Sequence, residues 1–263
     1  MRIQGCSVLL TGASGGLGHA IARGLAARGA RLVLTGRRAD LLRPLAAELG
    51  GTTMAVDLRD SAAVERLATE QDAVDILVAN AGLPGTGRLE DQDVERIDRV
   101  LDVNLRAPVV LAHRLVGAMR RRGAGHLVFM SSLSGIAASP QASLYCATKF
   151  GLRGFALALR EELRGTGVGV SAVYPGPIRD AGMFADARVK LPPGTGTNSP
   201  QDVADAVVRA IERNRAEITV ASPLLRAGMP LALVAPNLSA AVQRNLGGHR
   251  VAAELAQAQR EKC

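Results

Sequence analysis

Aromatic side chains are scarce in this chain of 263 residues, which has four Phe, two Tyr and no Trp. Protein modules that bind single-stranded RNA stack the bases on aromatic side chains, and this chain has too few for such a platform. Hydrophobic residues still make up 48% of the chain, so its core must be aliphatic. The length allows one α/β domain whose core is large enough to be stable without cross-links.

Cysteine is also rare, and its spacing excludes the common metal sites. Cys6, Cys146 and Cys263 form no CxxC pair, and the four histidines show no ligand spacing. We therefore predict no metal. The odd number of cysteines, and an apolar run so close to the N-terminus that no signal peptide precedes it, predict a reducing, cytoplasmic location.

Acidic residues are the minority charge, which leaves a net charge of +8. A basic balance can indicate nucleic acid, a membrane surface or an anionic small molecule as partner. The arginines are spread along the chain, apart from Arg37-Arg38 and a cluster at 120–122, which argues against a nucleic-acid surface. The apolar segment 227–242 is short for a membrane span and contains two prolines, so we interpret it as core, lid or subunit interface.

Short apolar runs alternate with longer helical patterns along the chain. Continuous apolar character is typical of strands that are buried on both faces, and strand–helix alternation predicts parallel strands in a doubly wound α/β sheet. Ligands of such sheets bind beyond the carboxyl ends of the strands. The predicted strands are 6–10, 31–35, 53–57, 75–79, 126–130, 168–173 and 217–220.

A glycine-rich turn, TGASGGLG, follows the first predicted strand and precedes a helical pattern. Gly12, Gly16 and Gly18 would let the backbone approach a pyrophosphate closely, and the helix would direct free N–H groups and its positive dipole end at that phosphate. The strand–turn–helix context favours a dinucleotide. No GK[ST] follows, so this is not a P-loop.

The ends of the next three strands predict further cofactor contacts. Arg37 and Arg38 stand where an acidic residue would select NAD(H), and arginine can bind a 2′-phosphate, so we predict NADP(H). Asp57 could accept a hydrogen bond from the adenine amino group. Asn80 opens the small turn NAG (80–82) beside the cofactor. Taken alone, the last two features are equally compatible with ordinary turns.

The fifth strand ends in two serines, and Tyr145 and Lys149 follow Ser132 on a helical pattern. Positions i and i+4 share a helix face. The lysine charge should lower the tyrosine pKa, and a bound oxidised nicotinamide would add a second positive charge. Such a tyrosine could exchange a proton with a substrate oxygen near neutral pH, while Ser132 donates a hydrogen bond to the same oxygen.

Together, TGASGGLG, NAG, VNL, SS, YCATK and YPGPI resemble the motifs of the short-chain dehydrogenase/reductase family, from residue 11 to about 180. The resemblance implies a single Rossmann-type domain with a seven-stranded parallel sheet. It implies Tyr145 as catalytic acid/base, Ser132 as polariser of the carbonyl, Lys149 as holder of the nicotinamide ribose, and Asn104 as holder of a water next to Lys149. The cofactor-binding residues predicted in this way are Gly12, Ser14, Gly16, Leu17, Gly18, Arg37, Arg38, Asp57, Leu58, Asn80, Ala81, Gly82, Tyr145, Lys149, Pro175, Gly176 and Ile178.

One position departs from the family pattern. The family often places a threonine four residues after the glycine of the PG pair, where it bonds the nicotinamide carboxamide, and this chain has Asp180 there. A carboxylate can accept from the carboxamide NH₂ but cannot donate to its oxygen. The contact between this loop and the cofactor is therefore open.

The predicted function is an NADP(H)-dependent oxidoreductase that interconverts a carbonyl and an alcohol, with a hydrophobic small molecule as substrate. A single domain would cover 1–263, with a substrate loop at about 181–199 and an apolar helical extension at about 221–263. The most loop-like stretch, 191–200, could be the base of that loop, and a plain connection is an equal alternative. A homodimer or homotetramer is expected, with no nucleic acid and no transmembrane segment. The alternative is a sensor or scaffold protein that binds NADP(H) without turnover.

Overall fold

The computed structural model describes residues 1–192, 195–245 and 247–259. Cys263 therefore lies outside the described residues, as do 193 and 194 of the predicted substrate loop and 246 and 260–263 of the predicted extension. The remaining residues of both segments are described.

Seven parallel strands form one sheet, as predicted, in the order β3-β2-β1-β4-β5-β6-β7. The order reverses between β1 and β4, where the chain first moves outward to β3 and then returns to the middle of the sheet. A crevice opens at such a reversal in doubly wound sheets. The strands are β1 (Ser7–Thr11), β2 (Arg31–Gly36), β3 (Thr52–Ala55), β4 (Ile76–Ala79), β5 (Gly125–Met130), β6 (Val168–Pro175) and β7 (Glu217–Val220).

The strand predictions are confirmed to within one or two residues at each end. Every residue of β4 and β5 is buried, which explains their unbroken apolar runs. The described residues also form eleven α-helices: α1 (Gly16–Ala26), α2 (Ala39–Leu49), α3 (Ser61–Glu70), α4 (Val94–Leu101), α5 (Ala107–Arg122), α6 (Ser143–Glu162), α7 (Gly182–Ala187), α8 (Pro200–Glu212), α9 (Pro223–Val234), α10 (Pro236–Asn245) and α11 (Gly248–Ala258).

Two aliphatic cores cover the two faces of the sheet. One is built from the apolar stripes of α1, α2 and α8, and the other from those of α3, α5 and α6. In α6, the longest described helix, Leu152 and Ala156 are buried at helical spacing, and Leu163 is buried directly after its end. This packing fixes α6 against the sheet and so fixes the orientation of the side chains near its N-terminal end.

The apolar segment 227–242 is not core. It forms most of α9 and α10, and apart from Met229, which packs partly against the core, its larger side chains are exposed: Leu231, Leu233, Val234, Leu238 and Val242. Apolar composition therefore did not imply burial here. Among the described helices, none has both the length and the apolar content needed to cross a bilayer.

Candidate active site

A cleft of about 1030 Å³ lies at the carboxyl ends of the strands. The strand–turn connections bring the predicted residues together there, although they are spread over more than 160 positions of the sequence. Asn104 is the one predicted site residue that does not line the cleft. The others all line it: Gly12, Ser14, Gly16, Leu17, Gly18, Arg37, Arg38, Asp57, Leu58, Asn80, Ala81, Gly82, Ser132, Tyr145, Lys149, Pro175, Gly176 and Ile178.

The glycine-rich turn packs so closely that side chains are excluded from it. Gly12 has a φ of +66°, and a Cβ there would lie 2.7 Å from the Ala81 Cα. A Cβ on Gly18 would lie 2.3 Å from the Gly12 carbonyl oxygen, so the first turn of α1 sits directly on the loop. The start of α1 thus presents bare backbone to the cleft, and this cradle fits a pyrophosphate.

Asn80 braces this turn from the neighbouring strand. Its side-chain amide donates to the carbonyl oxygens of Thr11, at 3.0 Å, and Gly12, at 3.2 Å. In return the Thr11 hydroxyl accepts from the backbone N–H groups of Asn80 and Ala81, both at 3.0 Å. Thr11 was missed by sequence reasoning, although its place directly before Gly12 was a local signal. The four bonds lock the ends of β1 and β4 together beneath the cradle.

Three arginines surround the far end of the cleft, beyond β2 and β3. Arg37 and Arg38 follow β2, and Arg38 donates to the Ser14 carbonyl oxygen at 3.2 Å. Arg59 was not predicted, although it lies two residues after Asp57. It donates from Nε to both oxygens of that carboxylate, at 3.0 and 2.9 Å. Hydrogen bonds from Arg59, supported by the charge of Arg37, lower the pKa of Asp57. This end of the cleft is therefore predominantly cationic.

Ser132, Tyr145 and Lys149 meet on the opposite side. Ser132 follows β5 by two residues, and its hydroxyl accepts from the Ser134 N–H at 3.1 Å. The Ser132 hydroxyl lies close enough to the Tyr145 side chain to lower the pKa of the phenol. Lys149 is 3% exposed; its ammonium donates to the Met130 carbonyl oxygen at 2.9 Å and lies 5.6 Å from the centre of the Tyr145 ring. The predicted trio is thus assembled by β5 and the first two turns of α6.

The lowering of the Tyr145 pKa that was expected from Lys149 does not appear among the groups of the chain itself. Loss of water around the phenol raises the pKa of Tyr145 to about 12, and the nearby Ser132 hydroxyl only partly opposes this. Burial also lowers the pKa of Lys149, to about 8, so this ammonium loses its proton more easily than an exposed lysine does. Sequence spacing cannot report burial, and burial dominates both groups. The other positive charge that was expected to lower the Tyr145 pKa is that of a bound oxidised nicotinamide, which is not a group of the chain.

Asn104 lies behind the cleft and is completely buried. It belongs to a π-helical turn, Asp102–Arg106, between α4 and α5, a distortion that often occurs at functional sites. Its side-chain oxygen accepts from the Leu83 N–H at 2.7 Å and its amide donates to the Leu83 carbonyl at 2.9 Å. A Cβ on Gly82 would lie 3.6 Å from the Asn104 oxygen and 3.7 Å from the Lys149 nitrogen, so both groups border one small space.

Asp180, the departure from the family pattern, lines the cleft but is not left as a lone charge. It has a φ of +67°, a region that aspartate tolerates better than most residues. Its carboxylate lies 3.4 Å from Arg179 Nε, and its side chain is 71% exposed. The negative charge is thus partly countered by its neighbour at the edge of the cleft.

The open side of the cleft is apolar and is formed by two segments far apart in sequence. The predicted substrate loop contributes Met183, Phe184 and Leu191, and α11 contributes Val251 and Leu255. The part played by α11 was not predicted, because no motif marks it.

Gln259, directly after α11, is 2% exposed and ties these walls together. Its side-chain oxygen accepts from the Thr86 hydroxyl at 2.8 Å, and its amide donates to the Met183 carbonyl oxygen at 3.0 Å. Thr86 belongs to the loop after β4, so one glutamine connects that loop, the substrate loop and the C-terminal helix. Neither Gln259 nor Thr86 carries a signal in the sequence that could have found it.

Among the described residues, neither Cys146 nor a metal cluster provides a second reactive centre. The pKa of the Cys146 thiol is raised by burial, which is the opposite of what a thiolate nucleophile requires. In the part of the chain that the structure describes, no three His, Cys, Asp or Glu side chains are grouped as metal ligands would be.

Known proteins resemble this chain in sequence and in structure. The family model described as short chain dehydrogenase matches residues 7–191. Ketoacyl reductase HetN of Nostoc sp. is 37% identical over 227 residues, which cover 83% of this chain and 79% of that protein. The 3-oxoacyl-[acyl-carrier-protein] reductase FabG of Rickettsia prowazekii is 34% identical over 239 residues, 86% of this chain and 98% of that protein.

A solved structure gives the same picture. A metagenomic short-chain oxidoreductase, crystallised in complex with NADP, superposes with a TM-score of 0.71 at 34% sequence identity. The match covers 84% of this chain and 98% of that one.

Proposed function

Because the chain belongs to the short-chain dehydrogenase family, an oxidoreductase family, we propose that it is an NADP(H)-dependent enzyme that interconverts a carbonyl and an alcohol on a hydrophobic small molecule. The observation that carries the proposal is the contact between Ser132 and Tyr145 beside the buried Lys149, in the same cleft as the glycine cradle. A protein that only bound the dinucleotide would have no use for this trio.

The three side chains have distinct roles in this proposal. When bound, the nicotinamide supplies or accepts the hydride. In the reducing direction the Ser132 hydroxyl donates a hydrogen bond to the carbonyl oxygen of the substrate and so holds it against Tyr145. The Tyr145 hydroxyl then gives its proton to that oxygen as the carbonyl carbon gains hydride. A phenol whose pKa is held at about 12 by burial carries this proton throughout the physiological pH range.

Lys149 would hold the cofactor ribose and return the proton. An ammonium whose pKa is lowered to about 8 exchanges its proton more readily near neutral pH than an ordinary lysine does. Asn104 borders the same space as the Lys149 nitrogen, which is consistent with the predicted water between them.

The preference for NADP(H) rather than NAD(H) rests on charge. Arg37, Arg38 and Arg59 gather where the adenosine ribose is expected, and the one carboxylate there, Asp57, is engaged by Arg59. A 2′-phosphate would meet guanidinium groups able to bind it through paired hydrogen bonds. NAD(H) would leave this positive charge without a counterion.

The apolar walls favour a lipophilic substrate. Met183, Phe184, Leu191, Val251 and Leu255 would surround the part of the substrate that lies beyond the reacting carbonyl. Ketoacyl reductases among the relatives are consistent with this interpretation, so 3-oxoacyl thioesters are the first class to test, followed by bulky ketones. A single domain, a homodimer or homotetramer and a cytoplasmic location complete the proposal.

Cofactor preference is tested by fluorescence titration with NADPH and NADH. NADPH should bind more tightly, and Arg37→Ala should weaken it by roughly tenfold, the effect of losing a charged hydrogen-bonding partner of phosphate, while NADH binding stays the same. Arg43→Ala removes an equal charge from α2 outside the cleft and serves as the matched control. Equal affinity for the two cofactors would refute the preference.

Turnover separates the enzyme from the alternative, an NADP(H)-binding sensor or scaffold. Tyr145→Phe should bind NADPH normally but lose roughly a hundredfold or more in rate, since it removes the general acid. The control is Tyr174→Phe, because the other tyrosine donates to Glu217 at 2.6 Å and lies outside the cleft. Full activity in Tyr145→Phe would disprove the mechanism, and binding without turnover of any carbonyl in the wild type would favour the sensor.

A further inference from the structure

Exposed apolar side chains are concentrated on α9 and α10. Large hydrophobic residues rarely stand exposed in such numbers on one short segment, and contiguous apolar surface of this kind marks contact sites. Val234 is 86% exposed and Leu224 62% exposed. The exposed set on the two helices is Leu224, Leu231, Leu233, Val234, Leu238 and Val242.

The pattern in α9 is that of an amphipathic helix whose outer face is apolar. Leu224, Leu231 and Val234 follow each other at intervals of seven and three residues and therefore share one face. Leu225 and Ala232 lie on the other side and are at least half-buried against the protein. The inward face is sufficient to pack α9 against the protein. Packing within the chain therefore does not explain why the outward face is also apolar.

Charge in this region has only one sign. No Asp or Glu occurs between residues 218 and 253. Arg226 and Arg244 are exposed on α9 and α10, and neither forms an ion pair within the described residues. An exposed apolar surface flanked by unpaired arginines complements a layer that is apolar inside and anionic at its surface.

The same surface adjoins the mouth of the cleft. Leu225 lines the cleft, and its neighbour Leu224 is exposed on the outside of α9. The helix after α10, α11, also lines the apolar side of the cleft.

We propose that α9 and α10 dock this protein on the surface of an anionic lipid bilayer, with the apolar stripe among the acyl chains and Arg226 and Arg244 at the phosphates. A second copy of the chain is a poorer occupant: a symmetric contact would bring the same arginines face to face with no carboxylate to neutralise them. Docking does not depend on the proposed reaction. If that reaction holds, a lipophilic substrate enters the cleft directly from the bilayer.

The test is flotation of the full chain with vesicles of phosphatidylglycerol and phosphatidylcholine, against vesicles of phosphatidylcholine alone. The wild type should float with the anionic vesicles. Leu224→Ser/Val234→Ser should reduce the partition coefficient by roughly tenfold or more, because two apolar side chains leave the bilayer. Arg226→Gln/Arg244→Gln should reduce it by about thirtyfold, about fivefold for each charge.

The matched control is Leu89→Ser/Val94→Ser, which makes the same change at two exposed residues elsewhere, 58% and 67% exposed. It should float like the wild type. Failure of the wild type to float, or equal loss in the control, overturns the proposal. So does a lower mass of Leu224→Ser/Val234→Ser in sedimentation velocity without lipid, since that result makes the surface a subunit interface. NADPH titration of the same proteins monitors the cofactor site separately.

Discussion

Replacing Lys149 with methionine should make the protein more stable while it removes the proposed activity. Lysine is rare in this chain, with three residues against 29 arginines. A lysine at this buried position is therefore not explained by a general abundance of lysine. Lys149 is 3% exposed, donates to the Met130 carbonyl oxygen and forms no ion pair within the described residues. A buried charge without a countercharge is destabilising.

The magnitude follows from the pKa of the ammonium. Burial lowers it from the ordinary 10.5 to about 8, and each unit corresponds to about 1.4 kcal/mol, so the buried charge costs about 3 kcal/mol below pH 8. Between pH 8 and 10.5 the unfolded chain keeps a proton that the folded chain has released. Stability from this group therefore rises with pH in that window. Methionine removes the penalty but loses the hydrogen bond, worth about 1–2 kcal/mol, which leaves a gain of about 1–2 kcal/mol at pH 7.

The assay is urea unfolding of the wild type and of Lys149→Met at pH 7 and pH 9.5. The variant should be more stable at pH 7, and the difference should shrink or reverse at pH 9.5. Other groups that titrate in this range, such as the cysteines, act equally on both proteins and cancel in the difference. Lys190→Met, at an exposed position on the substrate loop, is the control and should change little. A folded Lys149→Met that is less stable at pH 7, or a difference independent of pH, would refute the reasoning.

Three further predictions concern the cradle, the cleft wall and the core. Gly18→Ala should destabilise the fold by about 2 kcal/mol through overpacking and should weaken NADPH binding in titration. The control is Gly117→Ala in α5, where the methyl group has room, and it should have neither effect. Gln259→Ala leaves the buried Thr86 hydroxyl without its acceptor and should cost about 1–3 kcal/mol in thermal unfolding; exposed Gln257→Ala should cost almost nothing. His126 is buried, and its pKa is lowered to about 3. As the pH falls, the unfolded chain therefore takes up a proton on this imidazole before the folded chain does, and the free energy of unfolding should fall by about 2 kcal/mol between pH 6.5 and 5. His126→Gln should abolish this dependence on pH in urea unfolding.

The meeting of the glycine turn, the arginines and Ser132 in one cleft could be predicted from the sequence for a topological reason. Parallel strands all end at one edge of a sheet, so residues that directly follow buried strands must meet there. Gly12, Arg37, Asp57, Asn80 and Ser132 each come within two residues of a strand end. Short connections leave them little freedom, and their positions follow once the strands are recognised.

The pKa of Tyr145 and the role of Gln259 could not be predicted in this way. The first depends on how much water the folded protein removes from the phenol, which is a property of all the packing around it rather than of the four-residue spacing to Lys149. The second depends on where a C-terminal helix comes to rest after two exposed helices, and no local pattern encodes a contact across more than 170 residues.

The same difference divides the cleft into the part that contains the proposed reaction centre and the part that would contact the substrate. The segment that matches the family model, 7–191, contains the cradle, the arginine cluster and the trio of Ser132, Tyr145 and Lys149. The wall formed by α11 and its tie through Gln259 come after that segment. In the proposed mechanism Ser132 follows the end of β5, and Tyr145 and Lys149 lie near the start of α6, which packs against the sheet, whereas the apolar wall is tied by one buried glutamine. If the proposed function holds, changes in α9 to α11 should alter which substrates the cleft accepts more than they alter the reaction.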